Sequence, residues 1–321
     1  MHDLTFVVFA AALLFSLTID HYLGEPPVRW HPVVWMGNYL NWVAPHVLPA
    51  QSKSPHLRDL KSFMFGALAW VTGVAIVLVA ACSLQWAVLA LPVVAAALLL
   101  GLLLKPMLAW AMLRHEVQAV EVALGQSLDA GRLRLAMLVS RDTSCLSESQ
   151  VRESAIESLA ENLNDSVIAP IFWFVLFGLP GAAVYRFANT ADAMWGYRGL
   201  RNGVNWEWAG KWAAWADDVL SWFPARITGL LLVLLAGGVS FKTLQIEARK
   251  TPSPNSGWPM AAMALALRVC LQKPGVYALN QAGRQPQALD TVLAQNHASK
   301  ALVVHVLIAS IAIVSIAFIK T

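Results

Sequence analysis

The chain has 321 residues, a formal net charge of +4 and a pI near 9.1; 58% of it is hydrophobic, 13% is charged, and its mean hydropathy is +0.57. That balance excludes a soluble two-domain enzyme and predicts an integral membrane protein, because several apolar runs approach the ~20 residues needed to cross a ~30 Å hydrocarbon core. It also excludes a nucleic-acid partner, since no basic run with interleaved aromatics occurs; juxtamembrane Lys and Arg account for the charge.

In chain order, the first candidate span covers residues 4–19. Its start, Met-His-Asp, carries no Lys or Arg, and no small-residue cleavage site precedes Asp20, so it reads as a retained anchor. The segment Asp20-His21-Tyr22-Leu23-Gly24-Glu25-Pro26-Pro27 follows and continues through Arg29, Trp30 and His31. Its prolines preset φ and predict a rigid loop on the membrane surface. That loop is either a stop-and-turn signal or part of a site.

Further spans are expected at 63–82 and 86–104, joined by a turn at 83–85, and at 301–319. Lys and Arg group into segments 20–61, 105–152, 186–226 and 242–300, with Lys320 at the end. The positive-inside tendency places the first two segments in the cytoplasm and the N-terminus outside. The 14 tryptophans suit membrane-interface belts.

The stretch 140–165 holds six of the 19 acidic residues: Asp142, Glu148, Glu153, Glu157, Glu161 and Asp165. A chain this apolar does not carry such a cluster through lipid cheaply, so the cluster faces water, protein or a ligand. Ser147-Glu148-Ser149-Gln150 has the form of a capping box and predicts a helix over 148–163. Val151, Ala155, Leu159 and Leu163 recur on one side; Glu153, Glu157, Glu161 and Asp165 recur on another. Like charges four apart cost an isolated helix ~0.2–0.5 kcal/mol per pair, a cost a solvated face bears and a cation such as Mg²⁺ removes. Asn162, Asn164 and Asp165 abut the next apolar run, where polar groups are more often functional.

That run, 167–184, is interrupted by Gly178-Leu179-Pro180-Gly181, and the run 227–239 is short. Each is a tilted span, a broken helix or a re-entrant segment. If both return to the side they left, all four basic segments share the cytoplasmic face and one site gathers the polar motifs. Asn189 and Asp192 share a helical face ahead of Tyr197 and Arg198, and Asp217-Asp218 and Arg226 follow. Paired carboxylates hold metal or act as a base, and Arg forks onto phosphate or carboxylate. The cluster Thr251 to Pro259 predicts a turn before a helix over 260–267, whose N-terminus Ser256 or the nearby backbone would cap. Neither Gly-rich nucleotide fingerprint is present. Cys82, Cys145 and Cys270 lack zinc or redox spacing. No internal repeat or linker appears, so 1–321 reads as a single all-α, polytopic membrane domain.

DHYLGEPPVRWHPVVWMG (20–37), SRDTSCLSESQVRESAIESLAENLNDSVIAP (140–170) with ANTADAMWGYR (188–198), DDVLSWFPARIT (217–228) and SPNSGWPMAAMALAL (253–267) closely resemble the CobD/CbiB family of cobalamin biosynthesis. The resemblance spans most of the chain in order; segments 199–216 and 281–299 match less well. It implies an inner-membrane adenosylcobinamide-phosphate synthase that joins the corrinoid adenosylcobyric acid to aminopropanol phosphate, or a related amino alcohol, with ATP as cosubstrate. On that chemistry Glu157, Glu161 and Asp165 are the expected Mg²⁺ ligands, and Asp192, Asp218 and Glu161 the acid–base candidates. The expected substrate contacts are Asp20, Glu25, Arg29, His31, Arg141, Asp142, Asn162, Asn189, Tyr197, Arg198, Asp217, Arg226, Ser253 and Asn255. Partners would be the bilayer and other membrane-bound enzymes of the pathway or a second copy. The alternatives are a non-catalytic sensor resembling AmpE and a prenyltransferase of the UbiA type.

Overall fold

The structure is a computed structural model that describes residues 2–48, 58–201 and 203–319; Lys320 and residues 49–57 of the first basic segment lie outside these. In chain order the elements are α1 (His2–Leu23), α2 (Pro32–Val47), α3 (Leu60–Leu89), α4 (Val93–Leu104), α5 (Trp110–Leu124), α6 (Leu128–Leu135), α7 (Glu148–Leu163), α8 (Ala169–Trp195), β1 (Leu200–Arg201), β2 (Val204–Asn205), α9 (Lys211–Leu220), α10 (Trp222–Ala236), α11 (Phe241–Ala248), α12 (Gly257–Leu267), β3 (Leu271–Lys273), β4 (Tyr277–Leu279) and α13 (Ala288–Ile319). The protein is 75% helical, and its strands form two short antiparallel hairpins.

Among the described residues five helical stretches are long and apolar enough to cross a membrane, or six if the pair α9–α10, bent by 48°, is one span. This is the polytopic helical fold expected from the sequence, with two boundaries moved. The turn expected at 83–85 lies at 90–92, where Pro92 precedes α4 and α3 runs unbroken for 30 residues; polar Ser83 and Gln85 are helical. The last span starts at Ala288 rather than near 301, because Asp290 anchors its first turn. Its carboxylate accepts from the Gln287 backbone N–H at 2.7 Å and from Arg284 at 2.6 and 2.7 Å. The tryptophans divide: Trp30, Trp42 and Trp86 are exposed, whereas Trp110, Trp195 and Trp258 are buried.

The run 167–184 is a broken helix. A π-helical turn, Asn164–Ile168, joins α7 to α8, and Gly178 breaks α8 with φ 68° and ψ −153°, a conformation open essentially to glycine. The freed N–H of Leu179 donates to Gln85 Oε1 at 2.8 Å. That bond supplies the acceptor that the kink at Gly178 takes from the Leu179 N–H.

The chain divides into two compact units, each built from separate stretches: residues 1–108, 170–220 and 309–321, and residues 109–169 and 221–308. In the first unit α1 packs on α4 and α3 on α2 and α9. Gly101 makes the α1–α4 approach close, since a Cβ there would meet the Ala12 carbonyl at 2.8 Å. In the second unit α7 packs against α5, α6, α12 and β3, and α12 also packs on α10 and α11.

Candidate functional site

Helix α7 begins as its sequence dictates. Ser147 Oγ accepts from the Gln150 N–H at 3.4 Å and Gln150 Oε1 accepts from the Ser147 N–H at 2.8 Å, completing the capping box. Val151, Ala155, Leu159 and Leu163 are buried as expected. The first half of the carboxylate face is not solvated: Glu153 is 1% exposed and Glu157 5%. The elements around the helix bury these two, whereas Glu161 and Asp165 stay partly exposed and Glu161 borders a half-open cavity.

That cavity, of about 210 Å³, lies wholly within the second unit. Arg141, Glu157, Glu161, Asn162, Lys273 and Tyr277 contribute its polar wall. Arg141 Nη2 donates to Ser154 Oγ and lies 3.3 Å from Glu157 Oε2. Asn162 Nδ2 donates to the Ser158 carbonyl at 3.0 Å. Lys273 and Tyr277 face each other across the β3–β4 ladder, which delivers a cation and a phenol to one place. Burial, and then the neighbouring Glu157 carboxylate, push the Tyr277 phenol above its usual range, so it stays a protonated donor. Both carboxylate oxygens of Glu153 are buried with no hydrogen bond of normal geometry, although the Gln272 backbone lies within interaction range. Burial, followed by the charges of Glu153 and Glu157, pushes the Cys270 thiol up and keeps it from being a thiolate nucleophile.

Lys273, Tyr277, Ser154 and Ser158 are not singled out by the sequence. The hairpin did carry a signal, the Lys273-Pro274-Gly275 turn, but nothing local ties it to α7. Asp165 falls outside the cavity lining. It accepts from Asn164 Nδ2 at 2.7 Å, and Asn164 in turn accepts from Thr228 at 3.0 Å. Among the described residues no three His, Cys, Asp or Glu side chains gather as a metal site. Glu157 already engages Arg141, and Lys273 shares its cavity. The expected Glu157–Glu161–Asp165 cage for Mg²⁺ therefore does not fit a resident divalent ion: two cations stand where it would bind and the third ligand is turned to other work.

The remaining candidates of the second unit hold the backbone. Asp142 accepts from the Ser144 N–H at 2.9 Å, which keeps its carboxyl below the usual range and shapes the exposed loop. Arg226 donates to Asn255 Oδ1 at 2.7 Å and to the Pro254 carbonyl at 3.2 Å, and lies over the Trp222 and Trp258 rings. Ser253 Oγ accepts from the Asn255 and Ser256 N–H groups at 3.2 Å each. Ser253, rather than the expected Ser256, thus closes the turn, and α12 starts at Gly257 rather than 260 because that closure comes earlier.

In the first unit, Asn189 Nδ2 donates to Asp217 Oδ1 at 3.4 Å and Asn189 Oδ1 accepts from Arg186 at 3.5 Å. These polar residues link α8 to α9, a pairing that the local sequence pattern does not specify. Asp192 lies a turn further along α8, packed beside Gly196, and Asp218 is within electrostatic reach of exposed Arg198. Tyr197 donates to the Ala193 carbonyl at 2.7 Å and stacks under Arg201 at 3.5 Å. Asp20, Glu25 and His31 are brought together by a residue the sequence reading passed over, Lys105. Its Nζ, 3% exposed, lies 3.1 Å from Asp20 and 2.8 Å from Glu25, while His31 lies 3.1 Å from Glu25. A lone lysine among the leucines of 98–108 was itself a signal. Arg29 contributes its carbonyl to Trp35 and keeps its side chain exposed. A larger cavity of about 670 Å³ in this unit is apolar, lined by Trp35, Tyr39, Ile76, Leu84 and Phe187 among others.

Buried charge on helices of a multi-pass membrane protein defines a polar centre held inside an apolar scaffold, the arrangement of enzymes and carriers rather than of simple anchors. The family model described as CobD/Cbib protein matches residues 13–305. A probable cobalamin biosynthesis protein CobD of Methanothermobacter thermautotrophicus is 39% identical over 84% of this chain and 86% of its own length. The protein of the same description from Thermococcus kodakarensis is 39% identical over 90% and 89%, and the cobalamin biosynthesis protein CobD of Brucella anthropi is 35% identical over 89% and 90%. The chain belongs to the CobD/CbiB family. No solved structure matches it.

Proposed function

We propose that this protein acts in cobalamin biosynthesis as an amide-forming ligase, joining a corrinoid carboxylate to aminopropanol phosphate, or a related amino alcohol phosphate, with ATP as cosubstrate. Family membership supports the pathway. The observation that carries the chemistry is the mixed-charge cavity against α7, a half-open site for a small charged reactant in a predominantly apolar chain.

A carboxylate is a poor acyl donor. Phosphoryl transfer from ATP would convert it to an acyl phosphate with release of ADP; attack of the free amine would then form the C–N bond and expel phosphate. Glu161, an expected acid–base residue that lines the cavity, is the proposed acceptor of the proton from the incoming ammonium; Asp192, Asp218 and Arg198 belong to the other unit and are given no step at this cavity. Arg226, committed to the 253–256 turn, keeps that turn in place. Mg²⁺ enters this reading as the nucleotide's counter-ion. The polar loops face the cytoplasm across the cell membrane, where a cytosolic nucleotide reaches them; a second copy or membrane-bound enzymes of the same pathway are the partners.

The test is purified protein in detergent with adenosylcobyric acid, aminopropanol phosphate, ATP and Mg²⁺. Adenosylcobinamide phosphate should appear with stoichiometric nucleotide hydrolysis. No amide in several detergents, beside an active positive control, would overturn the reading in favour of a non-catalytic, AmpE-like role. Family membership removes the UbiA-type alternative.

A further inference from the structure

The cavity against α7 carries two cations, Arg141 and Lys273, and two carboxylates, Glu157 and Glu161. Its charge is balanced but separated. Glu157 is 5% exposed; its Oε2 engages Arg141, while its Oε1 makes no hydrogen bond of normal geometry. The Tyr277 phenol lies within hydrogen-bonding reach of the same carboxylate, so Glu157 is a buried, partly compensated anion in the cavity wall, with Glu161 beside it. Leu138, Val139 and Met260 add apolar wall between the charged groups.

We propose that this cavity is the subsite for the small amine phosphate, with its ammonium held by Glu157 and Glu161 and its phosphate by Arg141 and Lys273. The ligand's identity rests on the amide-forming reaction proposed above. Size and charge select it. At about 210 Å³ the cavity falls below the roughly 300–1,000 Å³ that holds drug-sized ligands, room for a short bifunctional molecule and not for a whole corrinoid or nucleotide. A lone divalent cation would sit beside Arg141 and Lys273, and a lone phosphate beside Glu157 and Glu161. A short chain with an ammonium at one end and a phosphate at the other satisfies both sets, and its carbons meet the apolar wall. The Tyr277 phenol, kept protonated beside Glu157, completes the carboxylate side of the cavity.

The test uses the full-length protein in detergent. Aminopropanol phosphate, aminopropanol, inorganic phosphate and MgCl₂ are each titrated by calorimetry, and KM values are measured for all three substrates. Aminopropanol phosphate should bind at least tenfold more tightly than aminopropanol or phosphate. Lys273→Gln, on an exposed hairpin where folding tolerates change, should raise its Kd and KM at least tenfold while leaving the KM for corrinoid and ATP unchanged; Lys273→Arg should restore most of the loss. Glu161→Gln should weaken the amine phosphate and aminopropanol but not inorganic phosphate. If the enzyme forms the amide and both variants leave these constants unchanged, the subsite assignment fails and the reaction stands. If Mg²⁺ alone binds, is lost in Glu161→Gln and competes with the amine phosphate, the cavity is a metal site and the assignment also fails. Amine phosphate bound with this variant pattern, but never converted to amide, upholds the subsite and overturns the reaction.

Discussion

Lys105 shows how one residue organises its surroundings. It is 2% exposed and bridges two carboxylates, Asp20 and Glu25, near the end of α1. Removing one partner of a buried ion pair costs about 3–5 kcal/mol, because the charge left behind is uncompensated. Lys105→Met should therefore lower the thermal midpoint in detergent substantially, without touching the cavity residues of the second unit. The same cluster gives an acid limit. Burial works against ionised Glu25, but His31 and Lys105 outweigh it and hold its pKa below the ordinary 4.5. A depressed carboxylate contributes stability that is complete above its unfolded-state pKa and is lost as pH falls through the lower folded value. The midpoint should be level above about pH 5 and fall below the ordinary carboxylate range, and Lys105→Met should flatten that acid-side fall. An equal fall in both proteins would show that Glu25 does not depend on Lys105.

Among the elements, α8 was the most ambiguous in the sequence and the most informative once folded. Gly178-Leu179-Pro180-Gly181 announces an interruption, since glycine opens conformations that other residues avoid and proline removes a donor. What the local pattern lacks is the compensating group, which comes from Gln85 on α3. Gln85→Leu would leave the Leu179 N–H without an acceptor in an apolar setting, an expected loss of about 1–3 kcal/mol, whereas Gln85→Glu should retain much of the stability. Amide hydrogen exchange at Leu179, faster in Gln85→Leu than in the wild type, would report the bond directly; unchanged exchange would contradict it. Helix α7 presents the opposite case. Its ends and its apolar stripe were legible because capping and four-residue spacing are local properties. Its carboxylate stripe looked equally suited to solvent, and only the packing of β3, α6 and α12 around it decided otherwise for Glu153 and Glu157.

At the scale of the whole molecule, five or six apolar helical stretches among the described residues make a multi-pass protein, and the distribution of Lys and Arg predicts its orientation. Cys145 is exposed in the polar loop before α7, and Cys82 is exposed on the apolar face of α3. In a Cys270→Ser background, a membrane-impermeant maleimide should label Cys145 in inverted vesicles and not in intact cells, and should label Cys82 in neither. Labelling of Cys145 from outside would reverse the orientation inferred from charge. The lack of a visible linker has a physical basis as well. Both compact units are assembled from non-contiguous stretches, so no point in the chain separates one from the other by composition.

The amino-acid sequence by itself determined what depends on near neighbours: membrane residence from run length, the capped helix at 148–163, the break at 178–181, and the family from four blocks in order. Tertiary structure decided what depends on residues far apart. It set Lys105 between Asp20 and Glu25, gave Lys273 and Tyr277 to the wall beside Glu157, and turned Asp165 away from it. The reason is that a charge acquires its role from the groups within a few ångströms of it, and in this chain those groups lie up to about a hundred residues away or more.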